Sequence, residues 1–278
     1  MKTLDHHLLL YDQDCPLCNW YTTLFVKYKF ISQSVRVPYQ EFDFSAYPHI
    51  EPIQASNKIA LCNQQNTEVL YGIDALGFIL NNRFPWISTL MKWKPFYILM
   101  SWLYAFISYN RKIIIPVSCA RTNACNPSRS WLWRTCFMIF SAILVSILVT
   151  SYFLNHLPLY FIGNPLYGDL IYFSGQLLFQ YLACRLLGEK NLYDYLGHLS
   201  IVSLFGALLL FFFGLGLDFL QRMGLEISML QPFIYGLVFC WMFMEHRRRL
   251  LLSDIDSRLS YSWVLYRLLI YPFAFISF

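Results

Sequence analysis

Cys15 and Cys18 stand three residues apart where an apolar run, Leu8-Leu9-Leu10-Tyr11, gives way to residues at helical spacing. Two thiols at such a junction can exchange a pair of electrons as a dithiol and a disulfide. Pro16 falls at the first helical position, where its missing N–H removes no hydrogen bond, and this leaves Cys15 at the N-cap. The positive end of the helix dipole stabilises an anion there by a few tenths to about 2 kcal/mol. That suffices to bring a thiol down from about 8.5 towards neutral pH. Cys18, one turn on and on the same face, is placed to resolve a mixed disulfide formed at Cys15. Asp12 and Asp14 add negative charge beside the thiols. Asp12 is a candidate proton acceptor for the resolving thiol, or a turn former. The competing chemistry is a zinc half-site, which needs two more ligands. The chain has no second CxxC and no HxxxH, only His6-His7 and the pair Cys119 and Cys125. The strand-to-helix context favours redox chemistry, and no metal is expected.

The elements that must hold this motif can be read around it. Residues 8–11 form a short strand, and 15–30 a helix with Leu17, Trp20, Tyr21, Leu24, Phe25 and Tyr28 at helical intervals. A second strand covers 35–38. Strands at 58–63 and 68–71 are joined through polar Gln64-Gln65-Asn66-Thr67 as a hairpin. A helix over 73–82 carries Ala75, Leu76, Ile79 and Leu80 on one side.

Strand, helix, strand, then hairpin and helix, opened by a CxxC, is a thioredoxin-like order. The run Leu9-Leu10-Tyr11-Asp12-x-x-Cys15-Pro16-Leu17-Cys18-Asn19-Trp20 resembles the DCC family of thiol-disulfide oxidoreductases, with its Asp-x-x-Cys-x-x-Cys signature. Gly72-Ile73-Asp74-Ala75 is similar to the family's Gly-x-Asp-Ala, and Tyr109-Asn110-Arg111 to its closing Asn/Arg segment. The resemblance covers residues 8–112 and implies thiol–disulfide exchange on a thioredoxin-like fold. Two departures stand out. Gln13 occupies the position of a usual glycine, and no proline directly precedes the strand at Lys58, where thioredoxins keep a cis-proline beside the active site.

The rest of the chain has a different character. Of 278 residues 57% are apolar, and the mean hydropathy is positive, too apolar for an ordinary soluble protein. From residue 131 onward, apolar runs at 135–154, 170–187, 199–220 and 229–244, with 262–278 as a fifth, approach the roughly 20 residues that span a bilayer. The reading is a thioredoxin-like α/β domain at 1–90, an amphipathic helix and basic juxtamembrane linker at 91–130, and an all-α membrane domain of four to five spans at 131–278. Residues 1–134 hold 13 Lys/Arg against 8 Asp/Glu, and between 92 and 134 there are seven basic residues and no acid. Basic juxtamembrane residues mark the cytoplasmic side, so the redox domain is expected in the cytoplasm and the chain in an inner or plasma membrane.

A reducing compartment argues against structural disulfides. Cys62, Cys136, Cys184 and Cys240 read as small buried hydrophobes. Cys119 and Cys125 read as a second dithiol, a metal pair or plain linker thiols. Gln176 and Gln180 in the second span read as interhelical packing contacts or as the polar wall of a ligand or quinone pocket. The expectation is a membrane-anchored oxidoreductase acting on a protein or small-molecule thiol or disulfide, without a cofactor and without nucleic acid. The alternatives are a non-catalytic redox-sensing or partner-recruiting membrane protein, or a quinone-coupled one.

Overall fold

A computed structural model of the chain describes residues 4, 6–65, 67–116, 130–156 and 165–274. Two compact units result, Met1–Trp133 and Arg134–Phe278.

The first unit is built on β1 (His7–Tyr11), α1 (Pro16–Lys27), β2 (Arg36–Pro38), α2 (Pro52–Asn57), β3 (Ala60–Asn63), β4 (Val69–Tyr71) and α3 (Ile73–Asn81). The sheet order is β2-β1-β3-β4. β1 runs parallel to β2 with Leu10 opposite Val37, and antiparallel to β3 with Leu9 opposite Leu61; β3 and β4 form the expected hairpin. This is the small mixed sheet that a thioredoxin-like order requires. β1 is central, and its unbroken apolar run follows from that, because both faces are covered. Leu9 joins Ile31, Val35, Ile59, Leu61, Ala75 and Ile79 on one side, while Leu10 joins Ile50, Ala55, Ala60 and Cys62 on the other.

Helix α1 stops short of residue 30. Its last turn is closed by Tyr28 N–H to Leu24 O, and Lys29 adopts a positive φ of 58° that turns the chain away. Helix α3 starts at Gly72, whose φ of 61° and ψ of −120° suit a residue without Cβ. The short helix α2 has Pro52 in its first turn, and gave no periodic signal in sequence.

Two more helices complete this unit, α4 (Trp86–Lys92) and α5 (Lys94–Ile114). A boundary at residue 90 is therefore not where the fold divides. α5 runs on to Ile114 and buries Ser108, Asn110, Arg111 and Ile113 in the unit. Its other face leaves Leu99, Trp102 and Leu103 exposed, and that stripe dominates the sequence pattern.

The second unit contains α6 (Trp131–His156), α7 (Pro165–Leu186), α8 (Leu192–Arg222), α9 (Leu230–Leu252) and α10 (Leu259–Ala274). Its core gathers Tyr152, Leu199, Val202, Leu217, Met242 and Trp263. Among the described residues, two helices are long and apolar enough to cross a membrane, Trp131–His156 and Leu192–Arg222, each with a mean hydropathy of 2.3. The four to five spans read from sequence are corrected to these two. α7 is interrupted by Asp169, Gln176, Gln180 and Arg185, α9 ends in Glu245-His246-Arg247-Arg248-Arg249, and α10 has 16 residues.

Candidate active site

The end of β1 and the start of α1 bring the thiols into place through a tight turn. Cys15 N–H donates to Asp12 O at 3.3 Å, and Asp14 N–H donates to Asp12 Oδ1 at 3.1 Å. The carboxylate thus folds the turn as an aspartate side chain commonly does. Gln40 clamps the same turn: its Nε2 donates to Asp12 Oδ1 at 2.7 Å and to Asp14 Oδ2 at 3.2 Å, while its Oε1 accepts from Gln13 N–H at 3.4 Å. Gln13 has no positive φ, so the departure from glycine carries no backbone strain.

Cys15 is the N-cap, with extended φ and ψ, and Pro16 opens the helix as expected. The Cys18 backbone N–H donates to Cys15 Sγ at 3.5 Å. Both cysteines are free thiols and buried, at 4% and 3% exposure. Thr22, fully buried, donates its hydroxyl to Cys18 O at 2.7 Å and receives Arg36 Nε at 2.9 Å. The Arg36 guanidinium in turn covers the Tyr11 ring at 3.9 Å. The first turn of α1 is thereby tied to β1 and β2.

The thiols differ sharply. The Cys18 thiol hydrogen-bonds to the Cys15 sulfur and holds it down at about 7, with help from the Arg111 charge and the Cys18 N–H, against burial and the Asp12 charge. The same hydrogen bond pushes Cys18 up, and burial adds to it, while Arg111 and the Tyr21 hydroxyl oppose. One sulfur is poised as a thiolate near neutral pH and its neighbour keeps its proton, the asymmetry that separates an attacking from a resolving thiol.

Arg111 is the residue that sequence reasoning did not assign a role. It comes from α5, is 3% exposed, and donates from Nη2 to Asp12 Oδ2 at 2.8 Å and to Ser56 O at 2.9 Å. Nη1 reaches Asn57 O at 3.4 Å. Burial works against its charge, but the two thiols, Asp12 and Tyr21 outweigh it and keep the guanidinium protonated. Ser108 donates to Asn57 O at 2.8 Å, and Tyr104 accepts from Ile59 N–H at 3.1 Å. Burial raises the Tyr104 hydroxyl to about 12. α5 therefore grips the backbone of 56–59, the segment before β3 where a thioredoxin has its cis-proline. The carbonyls of Ser56 and Asn57 are occupied from within the domain.

The structure brings Asp12, Cys15, Pro16 and Cys18 together, and adds Tyr21, Gln40, Tyr104 and Arg111. Asp12 is an ion-paired partner of Arg111 and a turn former. Cys119 and Cys125, the second dithiol read from sequence, lie outside the described residues. Tyr109-Asn110-Arg111 was the available signal for the missing cation. The other family segment also has a structural reason: Gly72 carries the positive φ, Asp74 Oδ2 accepts from the Tyr97 hydroxyl of α5 at 3.3 Å, and Ala75 is fully buried.

No curated protein and no solved structure matches the chain. Residues 9–115 match the family model described as DCC1-like thiol-disulfide oxidoreductase, a span that runs from the third residue of β1 to just past Arg111. The dithiol, its turn and its buried arginine all lie inside that span, so the part of the chain that is similar to the DCC1-like thiol-disulfide oxidoreductase family is the part that carries the site.

Proposed function

We propose that the protein is a membrane-anchored thiol-disulfide oxidoreductase in which Cys15 attacks and Cys18 resolves. The observation that carries this reading is the opposite displacement of the two thiols, Cys15 to about 7 and Cys18 upward. The Cys15 thiolate attacks one sulfur of a substrate disulfide. A Cys15–substrate disulfide forms, the substrate S–S bond breaks, and the departing sulfur takes a proton. Cys18 then gives up its proton and attacks Cys15 Sγ. The mixed disulfide breaks, the second substrate sulfur leaves as a thiol, and the enzyme holds a Cys15–Cys18 disulfide. The substrate has gained two electrons and two protons; run in reverse, the same steps oxidise a dithiol. Arg111 stabilises the thiolate, and Asp12 holds Arg111. Asp12, read from sequence as a candidate catalytic group, takes a positioning role here, because its carboxylate is already bonded to Arg111, Gln40 and Asp14 N–H.

The substrate is a protein or small-molecule thiol or disulfide, and the chemistry at Cys15 and Cys18 calls for no metal or cofactor. The two long apolar helices support anchoring in a bilayer, and the run of basic residues between 92 and 134 supports a cytoplasmic redox domain.

The test is trapping. Cys18→Ser should accumulate a mixed disulfide through Cys15, Cys15→Ser should form none, and the wild type should turn over a disulfide substrate repeatedly. Thiol titration without any turnover would favour the sensor reading instead. Extraction at alkaline pH, and labelling of cysteines from each side of the membrane, check anchoring and orientation.

A further inference from the structure

The helices of the second unit enclose a cavity of about 90 Å³. Its wall is mostly apolar, with aliphatic side chains such as Val145, Leu210 and Met242 beside five aromatic rings, Phe153 from α6, Tyr172 and Phe173 from α7, and Tyr235 and Phe239 from α9. Four polar side chains interrupt it: Asp169 and Gln176 from α7, Ser203 from α8 and Arg267 from α10.

Gln176 is 3% exposed, yet neither its amide nitrogen nor its oxygen meets a partner in the protein. A buried amide left in that state is costly. Gln180, one turn along α7, behaves differently: its Oε1 accepts from Tyr195 at 2.7 Å and from Ser262 at 2.9 Å. Of the two glutamines, one ties helices together and the other lines the empty space. Arg267 lies with its guanidinium 4.2 Å from the Trp263 ring centre, and its Nε is buried without a partner.

The wall thus offers donors at Gln176 Nε2 and Arg267 Nε, and acceptors at Gln176 Oε1 and the Asp169 carboxylate. With one acidic and one basic group in the lining, neither an anion nor a cation is favoured. Aromatic planes beside mixed donors and acceptors match a flat, uncharged ring whose oxygens accept hydrogen bonds as carbonyls and donate them as hydroxyls. We propose that this cavity binds a quinone. Binding here is independent of the chemistry assigned to Cys15 and Cys18.

Equilibrium dialysis of the detergent-solubilised full chain against a short-chain ubiquinone, with protein-free micelles as the blank, tests it. Saturable uptake is expected. Gln176→Leu, which removes the amide at similar volume, should weaken it about tenfold, the scale of one or two lost hydrogen bonds. Ala207→Phe, which fills the cavity, should abolish it. Gln176→Leu should also raise the melting temperature of the unliganded protein, because it relieves an unpaired buried amide, so weakened binding cannot then be ascribed to misfolding. Uptake that only follows micelle volume, saturable binding unchanged in both variants, or full displacement by a saturated fatty acid would each overturn the proposal.

Discussion

Arg111 Nη2 lies 2.8 Å from Asp12 Oδ2 in a buried ion pair that joins residues ninety-nine positions apart in the chain. Removing one member of such a pair typically costs about 3–5 kcal/mol, because the other is left buried and uncompensated. Arg111→Met should destabilise the first unit on that scale in a urea titration. Combined with Asp12→Asn it should cost clearly less than the two single changes added together. Arg111→Lys should recover only part, since an ammonium cannot serve Asp12 and the Ser56 and Asn57 carbonyls as one planar fork does.

The rate at which Cys15 reacts with a neutral alkylating reagent should rise through a midpoint near pH 7, the value to which its thiol is lowered. Arg111 lowers that value and Asp12 raises it. Arg111→Met should therefore move the midpoint to higher pH and Asp12→Asn to lower pH. Shifts of the same sign in both variants would show that charge does not set the reactivity.

Stability of the reduced protein should also depend on pH, in two opposite limbs. The ordinary thiol value is 9.0 and Cys15 in the fold sits at about 7. Between them the unfolded chain binds the extra proton, so stability rises from pH 7 to 9 and is lost as pH falls through 7. Cys18 is raised in the fold, so above the ordinary value the unfolded chain releases a proton that the fold keeps, and stability declines. Melting temperatures of the reduced protein across this range should peak near pH 9, and Cys15→Ser should remove the rising limb.

Gly72 joins β4 to α3 with a φ of +61°, and a Cβ there would lie 2.9 Å from Tyr104 Cε1. Gly72→Ala should cost about 1–3 kcal/mol, the range for backbone held in so sparsely populated a region. Tyr104→Ala in the same chain should relieve the collision and leave the backbone part. Tyr104→Phe alone should cost about 1 kcal/mol through the lost bond to Ile59 N–H. Denaturant melts of the set would separate these contributions.

Local signals carried most of the thiol site. The apolar run of β1, the Pro16 helix start and the hairpin polar residues are short-range features, and each falls within a residue or two of its expected place. Arg111 was invisible as a partner because an ion pair across such a separation leaves no periodicity. Tyr104 and Ser108 were hidden for another reason: the exposed Leu99, Trp102 and Leu103 on the opposite face of α5 give the stronger pattern. In the second unit, windows of apolar residues look alike whether they face lipid or one another. The polar residues of α7 and the basic end of α9 distinguish them once the helices are assembled.

The grip of α5 on the dithiol turn also bears on how the protein comes into being. The ribosome releases Cys15 and Cys18 long before it adds Arg111, and a nascent chain ending near residue 90 carries both thiols without the cation or Tyr104. Alkylation of stalled chains that end before and after Arg111 would report the difference. Until α5 docks, the emerging Cys15 has its bond from Cys18 but not the Arg111 charge, so its full reactivity waits for the complete domain.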